Sequence, residues 1–545
     1  MPFLNFKKLK KMERRKFIKT TALAATAPIL FNKIPVLASS QIDSSNLNTL
    51  ATAAQKCGKI LVIIQMNGGN DGLNTIFPLD KYDKLVAARS NILINQNDIL
   101  KLNLNNSTGF HPAMTEMQKM YNNGQMMVVQ GVTYPNASYS HFRSTDIWFT
   151  ATDADKSSQT GWLGRALDKK YPNFPVGYPT ADMPDPLAIQ IGSTLPFSLQ
   201  GPTINLAYSV PDPNDLLNVI NETTDPTPNS DYGKELAFLR LMKDQSNIYR
   251  TVIQTAYNVA KPSTVYPTDN KLAEQLQIVA KLINGGLQTP IYIVNHPKTF
   301  DTHEYQVEQS DKKLGKQAEN LKILSEAVAA FQKDLKLIGK SDKVTGMTFS
   351  EFGRRIKSNG SLGTDHGAGA PIMFFGDNLN VEASNIAGSA YPVSGMIGKS
   401  PELPDNAEVD DQVPMQFDFR QVYTTIMQDW LCMSEAEATD VLGAQFQKLP
   451  IFKTKPIIEP IENNRFVIYP NPIIDNQVNI RFPNLISTTI PIVISDIQGV
   501  KILDNNYQIS GDTLTFKISE YVSSGTYIIK ITLFDKTYVR KLIVR

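Results

Sequence analysis

The chain has 545 residues, 42% of them hydrophobic and 19% charged, with 54 basic and 52 acidic side chains and a net charge of +2. That length asks for more than one folding unit, and the near balance of charge excludes the basic footprint of a nucleic-acid partner. Two cysteines, Cys57 and Cys432, exclude a disulfide-dense scaffold and a cysteine-rich zinc site, and leave a single bridge open. No run of about 18 apolar residues follows the N-terminus, so no integral membrane segment is expected in the mature protein.

In chain order, residues 1–38 read as an export signal. Lys7, Lys8, Lys10, Lys11, Arg14, Arg15 and Lys19 precede the apolar "TTALAATAPILF", and Val36 and Ala38 suit cleavage after Ala38. Within it "RRKFIK" resembles a twin-arginine signal, which implies export of an already folded protein. A polar spacer covers 39–57. The apolar, β-branched run 60–66 then predicts a buried parallel strand, and 125–132, 290–296, 344–352 and 371–377 repeat the pattern. Leu314, Ala318, Leu321, Leu324, Val328, Phe331, Leu335 and Ile338 recur every three or four residues and predict a helix over 311–339. Further helices are expected at 232–260, 270–285 and 418–447. Residues 151–230, rich in Pro, Gly, Asn and Asp, read as an irregular cap. Strands separated by helices predict an α/β fold over 58–447, a mostly parallel sheet sandwiched by helices with its chemistry at the carboxyl ends of the strands.

Residues 448–465 read as a proline-bearing linker, and 466–545 as a small all-β sandwich of alternating strands. There "YPNP", "DIQG", "SGTYIIKI" and a basic, β-branched C-terminus occur in an order that resembles the type A sorting domain of type IX secretion. The resemblance implies contact with that export machinery and delivery through the periplasm to the cell surface or medium.

Five segments carry candidate chemistry: "GGNDG" (68–72), "SHFRSTD" (140–146), "FDTHEYQ" (300–306), "SEFGRR" (350–355) and "GTDHG" (363–367). His141, His296, His303 and His366, four of the five histidines, lie in or beside them. Asp301 and His303, two residues apart, face one way from an extended segment and suit a shared metal. Asp71 and Glu351 offer carboxylates at strand ends, and Asp365 and His366 sit between glycines that let the backbone turn inward. Plainer readings stand beside these. Asp71 equally suits a helix N-cap, as does Ser140, and Glu351 with Arg354 and Arg355 equally suits an ion-pair cluster.

Taken in order, "IQMNGGNDGLNT", "SHFRSTDIW", "FDTHEYQ", "SEFGRRIKSNGSLGTDHGAGAPIMFFG" and "DFRQVYTTIMQDWL" resemble the bacterial family called domain of unknown function 1501, counted in the alkaline phosphatase and sulfatase superfamily. The resemblance implies an alkaline phosphatase-like fold and a centre holding one or two divalent ions (Zn, Ca, Mg or Mn). Its implied ligands are Asp71, Asp301, His303, Glu351, Asp365 and His366. Ser140 is the implied nucleophile beside His141, with Arg143 stabilising the equatorial oxygens and Arg354 orienting Glu351 or holding an anionic substrate. Three departures stand out: Glu351 lacks the histidine that commonly follows it, the Asp301–His303 spacing is shorter than the usual one, and His141 follows Ser140 in place of a small residue, which leaves Ser138, Ser144 and Thr145 as rival nucleophiles. The function implied is hydrolysis of a phosphate or sulfate ester, borne by a small molecule or a glycan. The alternative is an inert surface protein for binding or assembly, such as glycan capture.

Overall fold

The run Ile60–Gln65 becomes the strand its composition predicts, buried along its whole length. A strand covered on both faces has no solvent side to reward alternation, so the sequence is apolar throughout. It pairs in parallel with Val344–Phe349 on one edge and Ile291–Asn295 on the other. The computed structural model describes residues 29–31, 34–36, 57–103, 105–214, 226–260, 264–381, 395–453, 467–482, 487–510, 513–519, 521–533 and 536–544. The expected export signal, spacer and linker fall for the most part outside them. The chain divides into two compact units, Met1–Lys453 and Thr454–Arg545.

Among the described residues, the central sheet of the first unit has nine strands. Their order is Met396–Ile397, Met126–Thr133, Ala370–Phe375, Val344–Phe349, Ile60–Gln65, Ile291–Asn295, Ala188–Ile191 and Ala207–Val210, with Phe417–Asp418 also pairing to Met126–Thr133. All pairings are parallel except those of Ala370–Phe375, which is antiparallel to both neighbours. The sheet is thus mixed and mostly parallel, as the sequence predicts. Successive strand residues point to opposite faces, and both faces are covered. Phe375 meets Phe331 of the helix Lys316–Leu337, while Phe374 meets Phe452, itself stacked on Trp430.

Three expectations change. Residues 151–230 are not only a cap, because Ala188–Ile191 and Ala207–Val210 extend the central sheet in parallel. Four-residue strands hidden among prolines leave too short an apolar run to stand out. The helix expected over 311–339 runs Lys316–Leu337, and Leu314 lies before it, exposed. The region 418–447 divides into the helix Phe419–Thr425, a π-helical turn Ile426–Trp430 and the helix Glu435–Leu442.

Cys57 and Cys432 form a disulfide with their Cα atoms 5.9 Å apart, 375 residues apart in sequence. Such a bond suits a protein that matures in an oxidising compartment. Replacing both cysteines with serine is expected to lower the unfolding free energy by about 2–5 kcal/mol, because the cross-link constrains the unfolded chain. Urea titration checks this, and a reductant should shift the wild-type midpoint in the same way.

Among its described residues the second unit is all β. Seven strands run there in the order Lys501–Ser510, Ser487–Asp496, Gly525–Leu533, Lys536–Val544, Val467–Ile474, Gln477–Arg481 and Thr513–Lys517. Alternate residues such as Ile490, Ile492, Ile494, Ile529 and Ile531 form its core. Lys501–Ser510 is a strand the sequence reading missed, since "KILDNNYQIS" carries turn-like Asp504, Asn505 and Asn506 in its middle.

Candidate metal centre

The parallel strands Ile60–Gln65, Ile291–Asn295, Val344–Phe349 and Met126–Thr133 all end on one edge of the sheet, and the segments that follow them meet there. After Gln65 the chain turns through Gly68 and Gly69, both at positive φ. A Cβ on Gly69 would lie 2.3 Å from the Phe352 ring, so only glycine fits this approach. After Asn295 the chain is pinned by His296 N–H to Gln65 O at 2.9 Å and Phe300 N–H to Asn67 O at 2.7 Å, which brings Asp301 and His303 forward. An antiparallel hairpin, Gly353–Ser358 with Thr364–Gly367, sets Arg354 opposite His366. A Cβ on Gly363 would lie 2.2 Å from the His303 carbonyl oxygen, so the hairpin closes on the His303 loop only through a glycine.

Arg354 fastens these loops. Its fully buried guanidinium donates to the carbonyls of Gly68, Gly69 (2.7 Å), Phe300 (3.1 Å) and Thr364 (2.8 Å), and to Asp301 Oδ1 at 2.7 Å. Burial alone would raise the Asp301 carboxyl. The Arg354 hydrogen bond and charge, helped by His366 and His303, outweigh it and hold the group down at about 2. Arg354 therefore orients Asp301, and not Glu351 as the sequence reading allowed.

Three imidazoles surround Asp301. His303 Nε2 is 3.1 Å and His366 Nε2 3.2 Å from Asp301 Oδ1, and the two ring nitrogens are 2.9 Å from each other. His141 Nε2 stands 3.4 Å from Asp301 Oδ2. Each ring's other nitrogen faces an oxygen that can only accept when the carboxylates are ionised: Asp365 Oδ1 for His303 (2.9 Å), the Tyr139 carbonyl for His366 (2.8 Å) and Glu351 Oε1 for His141 (2.9 Å). Each Nδ1 thus carries a proton and donates, which leaves the neutral ring's lone pair on Nε2. Burial lowers the pKa of His366 and favours that neutral form, whereas the Glu351 hydrogen bond raises that of His141. Lone pairs and a carboxylate converging at such separations call for a cation between them. Ligand atoms of His141, Asp301 and His366 all lie within 4.8 Å of one another, so these residues could hold one metal ion with His303 beside them. The acceptors behind the rings are the usual orienting partners of metal-bound histidines.

The structure treats the candidate residues unequally. Asp301, His303 and His366 come together, joined by His141, which the sequence reading had placed among catalytic residues. Asp365 stands behind His303, not behind His366. Glu351 is buried one step back, where a single oxygen accepts from both His141 Nδ1 and Gly68 N–H. Asp71 does not join the group. It caps the short helix Gly72–Thr75, as the plainer reading had it, and its carboxylate is filled by the Arg89 guanidinium at 2.8 Å and the Gln306 amide at 2.6 Å. Arg143 does not reach the group by its charged end, which pairs with Asp146 and the carbonyls of Ala154 and Lys156. Ser140 is the exposed N-cap of the helix His141–Thr150, and its side chain makes no capping hydrogen bond. His296 is tied to the Lys298 and Asn320 carbonyls, and His111 is buried elsewhere, pushed down to about 3.

The sequence reading missed three residues. Phe352 packs its ring 4.9 Å from that of His141 and 4.6 Å from that of His366. Arg89, 18 residues from Asp71, carries no local signal. Gln306 could have been found, since it closes the quoted segment "FDTHEYQ". It donates to Asp71 and accepts from Thr302 and Thr364, so one amide spaces the loop of Asp301 and His303 from that of Asp365 and His366. Gln306→Leu is expected to weaken metal binding about 10- to 100-fold, as loss of an outer support does. Titration with Zn²⁺ under a competing chelator measures it.

Residues 222–442 match the family described as Protein of unknown function (DUF1501), a range that holds Asp301, His303, Glu351, Arg354, Asp365 and His366 but begins after Asp71 and His141. Residues 467–545 match the secretion system C-terminal sorting domain. Among curated proteins, none matches the chain. Solved structures similar to it include a lipoteichoic acid synthase from Listeria monocytogenes, at 10% identity and TM-score 0.24, over 58% of this chain and 65% of that one. A protein in the alkaline phosphatase superfamily from Vibrio parahaemolyticus is similar at 10% identity and TM-score 0.29, over 94% and 92%. A sulfatase from Pseudoalteromonas sp. is similar at 10% identity and TM-score 0.29, over 84% and 83%. Residues 222–442 are thus similar to DUF1501, and residues 467–545, after them, to a secretion system C-terminal sorting domain.

Proposed function

We propose that the protein is an exported, metal-dependent hydrolase of phosphate or sulfate esters, of the alkaline phosphatase-like class. The observation that carries this reading is the convergence of His303 Nε2, His366 Nε2 and Asp301 Oδ1 within 2.9–3.2 Å, each ring proton being held on the far side. When bound, a divalent ion supplies Lewis-acid polarisation and a water of lowered pKa. Imidazole donors favour a zinc-like ion over Ca or Mg, whose sites are built of oxygen. One ion is the reading supported, because Arg89 already neutralises the carboxylate of Asp71 that a second ion would use.

The chain's own groups divide the remaining work. Asp365, Glu351 and the Tyr139 carbonyl keep the three lone pairs turned inward, and Arg354 keeps Asp301 ionised. Ser140 is the nucleophile of this reading, with an uncommitted hydroxyl at a helix start where backbone N–H groups favour an anionic ester. Residues 1–38 are read as a cleaved twin-arginine signal, and the sorting domain as the type IX address that takes the enzyme to the cell surface or medium.

The test is turnover of 4-nitrophenyl phosphate and 4-nitrophenyl sulfate by the full chain, before and after chelation, with Ser140→Ala beside it. Chelation and Ser140→Ala are each expected to lower the rate on the order of 10²-fold or more. A rate indifferent to chelation would sink the reading, and bound metal without turnover of either ester would favour the inert binder.

A further inference from the structure

Four aromatic side chains of the first unit are exposed among the described residues, and three of them stand within two residues of His141 or His303 in sequence. Tyr139 is 41% exposed and Phe142 92%, on either side of Ser140 and His141, and Tyr305 is 63% exposed, two residues beyond His303. The rings of His141 and His303 lie 4.5 and 4.6 Å from that of His366, and His141 and His303 come from different loops. The exposed aromatics are therefore carried by two different loops that meet at the same centre.

Neither burial nor backbone comfort accounts for them. Phe142 gains almost nothing from folding at its exposure. Tyr305 sits at φ +53, a region that penalises a bulky side chain, held there by its N–H to the Ser361 carbonyl and its own carbonyl accepting from Lys316 N–H. The Lys316 ammonium lies 5.4 Å from the Tyr305 ring and puts positive charge on that flank.

We propose that these rings are stacking platforms for the pyranose rings of an anionic glycan, one on the Tyr139–Phe142 flank and one on the Tyr305 flank. The ester presented to the centre is then borne within a chain of sugars, not on a small monoester. The proposal rests on the reading of the centre as an ester hydrolase and adds its substrate class. A pyranose offers a face of C–H groups that covers an aromatic ring while its hydroxyls stay in water, so a flat exposed ring suffices. A peptide side chain would ask for a pocket, and a nucleic-acid strand for a run of basic contacts along its phosphates that a chain of net charge +2 does not announce.

The experiment is native gel electrophoresis of the full chain through gels containing dextran sulfate or polyphosphate, which share charge but not rings. Dextran sulfate is expected to retard the protein, with apparent affinity falling about 3- to 10-fold in Phe142→Ala and in Tyr305→Asn. Asn tolerates positive φ, so Tyr305→Asn should melt no lower than wild type, which separates lost stacking from damaged folding. Variants that migrate as wild type overturn the proposal, as does equal retardation by polyphosphate or tighter retention by a single-stranded oligonucleotide. Because the readout is binding, it stands apart from turnover. Retardation that depends on Phe142 and Tyr305 without ester hydrolysis would fault the hydrolase reading alone. Aryl-ester turnover with retardation indifferent to both residues would fault the glycan alone.

Discussion

His366→Ala should lose its metal. Its Nε2 lies 2.9 Å from that of His303 and 3.2 Å from Asp301 Oδ1, so removing the ring takes away the donor that stands between the other two imidazoles. The loss in affinity is expected to exceed the roughly 10- to 100-fold typical of outer supports, because a ligand itself is removed. His303→Ala should behave alike. His296→Ala is the control: that ring is bound to the backbone carbonyls of Lys298 and Asn320, so its loss should lower stability and leave metal content unchanged. Elemental analysis of gel-filtered protein reads the result. An ion retained in stoichiometric amount by both His303→Ala and His366→Ala would remove the basis for the metal centre.

Asp71→Asn should unfold more easily and keep its metal. Both members of its pair with Arg89 are essentially without solvent contact, and the guanidinium also holds the carbonyls of Ile356 and Arg355. Taking the charge from Asp71 strands a buried cation, at a cost of about 3–5 kcal/mol. Asp71→Asn combined with Arg89→Gln should cost less than the sum of the two single changes, since each removes the charge the other leaves unpaired. Urea unfolding with metal analysis on the same samples separates the two roles of this carboxylate. A ligand would take the metal with it, whereas a structural anion would not.

The strands that hold the site were legible because they are buried on both faces. "ILVIIQ" and "PIMFF" have no solvent side, so composition alone marks them. Their direction was not legible: Ala370–Phe375 reads like its parallel neighbours and lies antiparallel, because an apolar run carries no sign of its orientation. At the site, Asp301, His303 and His366 were found from their rarity and their place after strands. Glu351 and Asp71 were found by the same signal yet stand further back, because a carboxylate at a strand end looks the same whether it faces an ion, an imidazole or a guanidinium.

The sequence by itself marked the buried strands of the central sheet and the short list of polar residues that follow them. Burial periodicity and glycine placement are local properties of a chain, and they survive without knowledge of its neighbours. Only the tertiary structure decided who meets whom. Arg89 reaches Asp71, Arg354 takes Asp301, Asp365 turns to His303, and His141 enters from the start of a separate helix to complete the ring of donors. Such meetings join segments far apart in sequence, Gly68 and Glu351 by 283 residues, and folding closes those distances through packing that no single segment encodes.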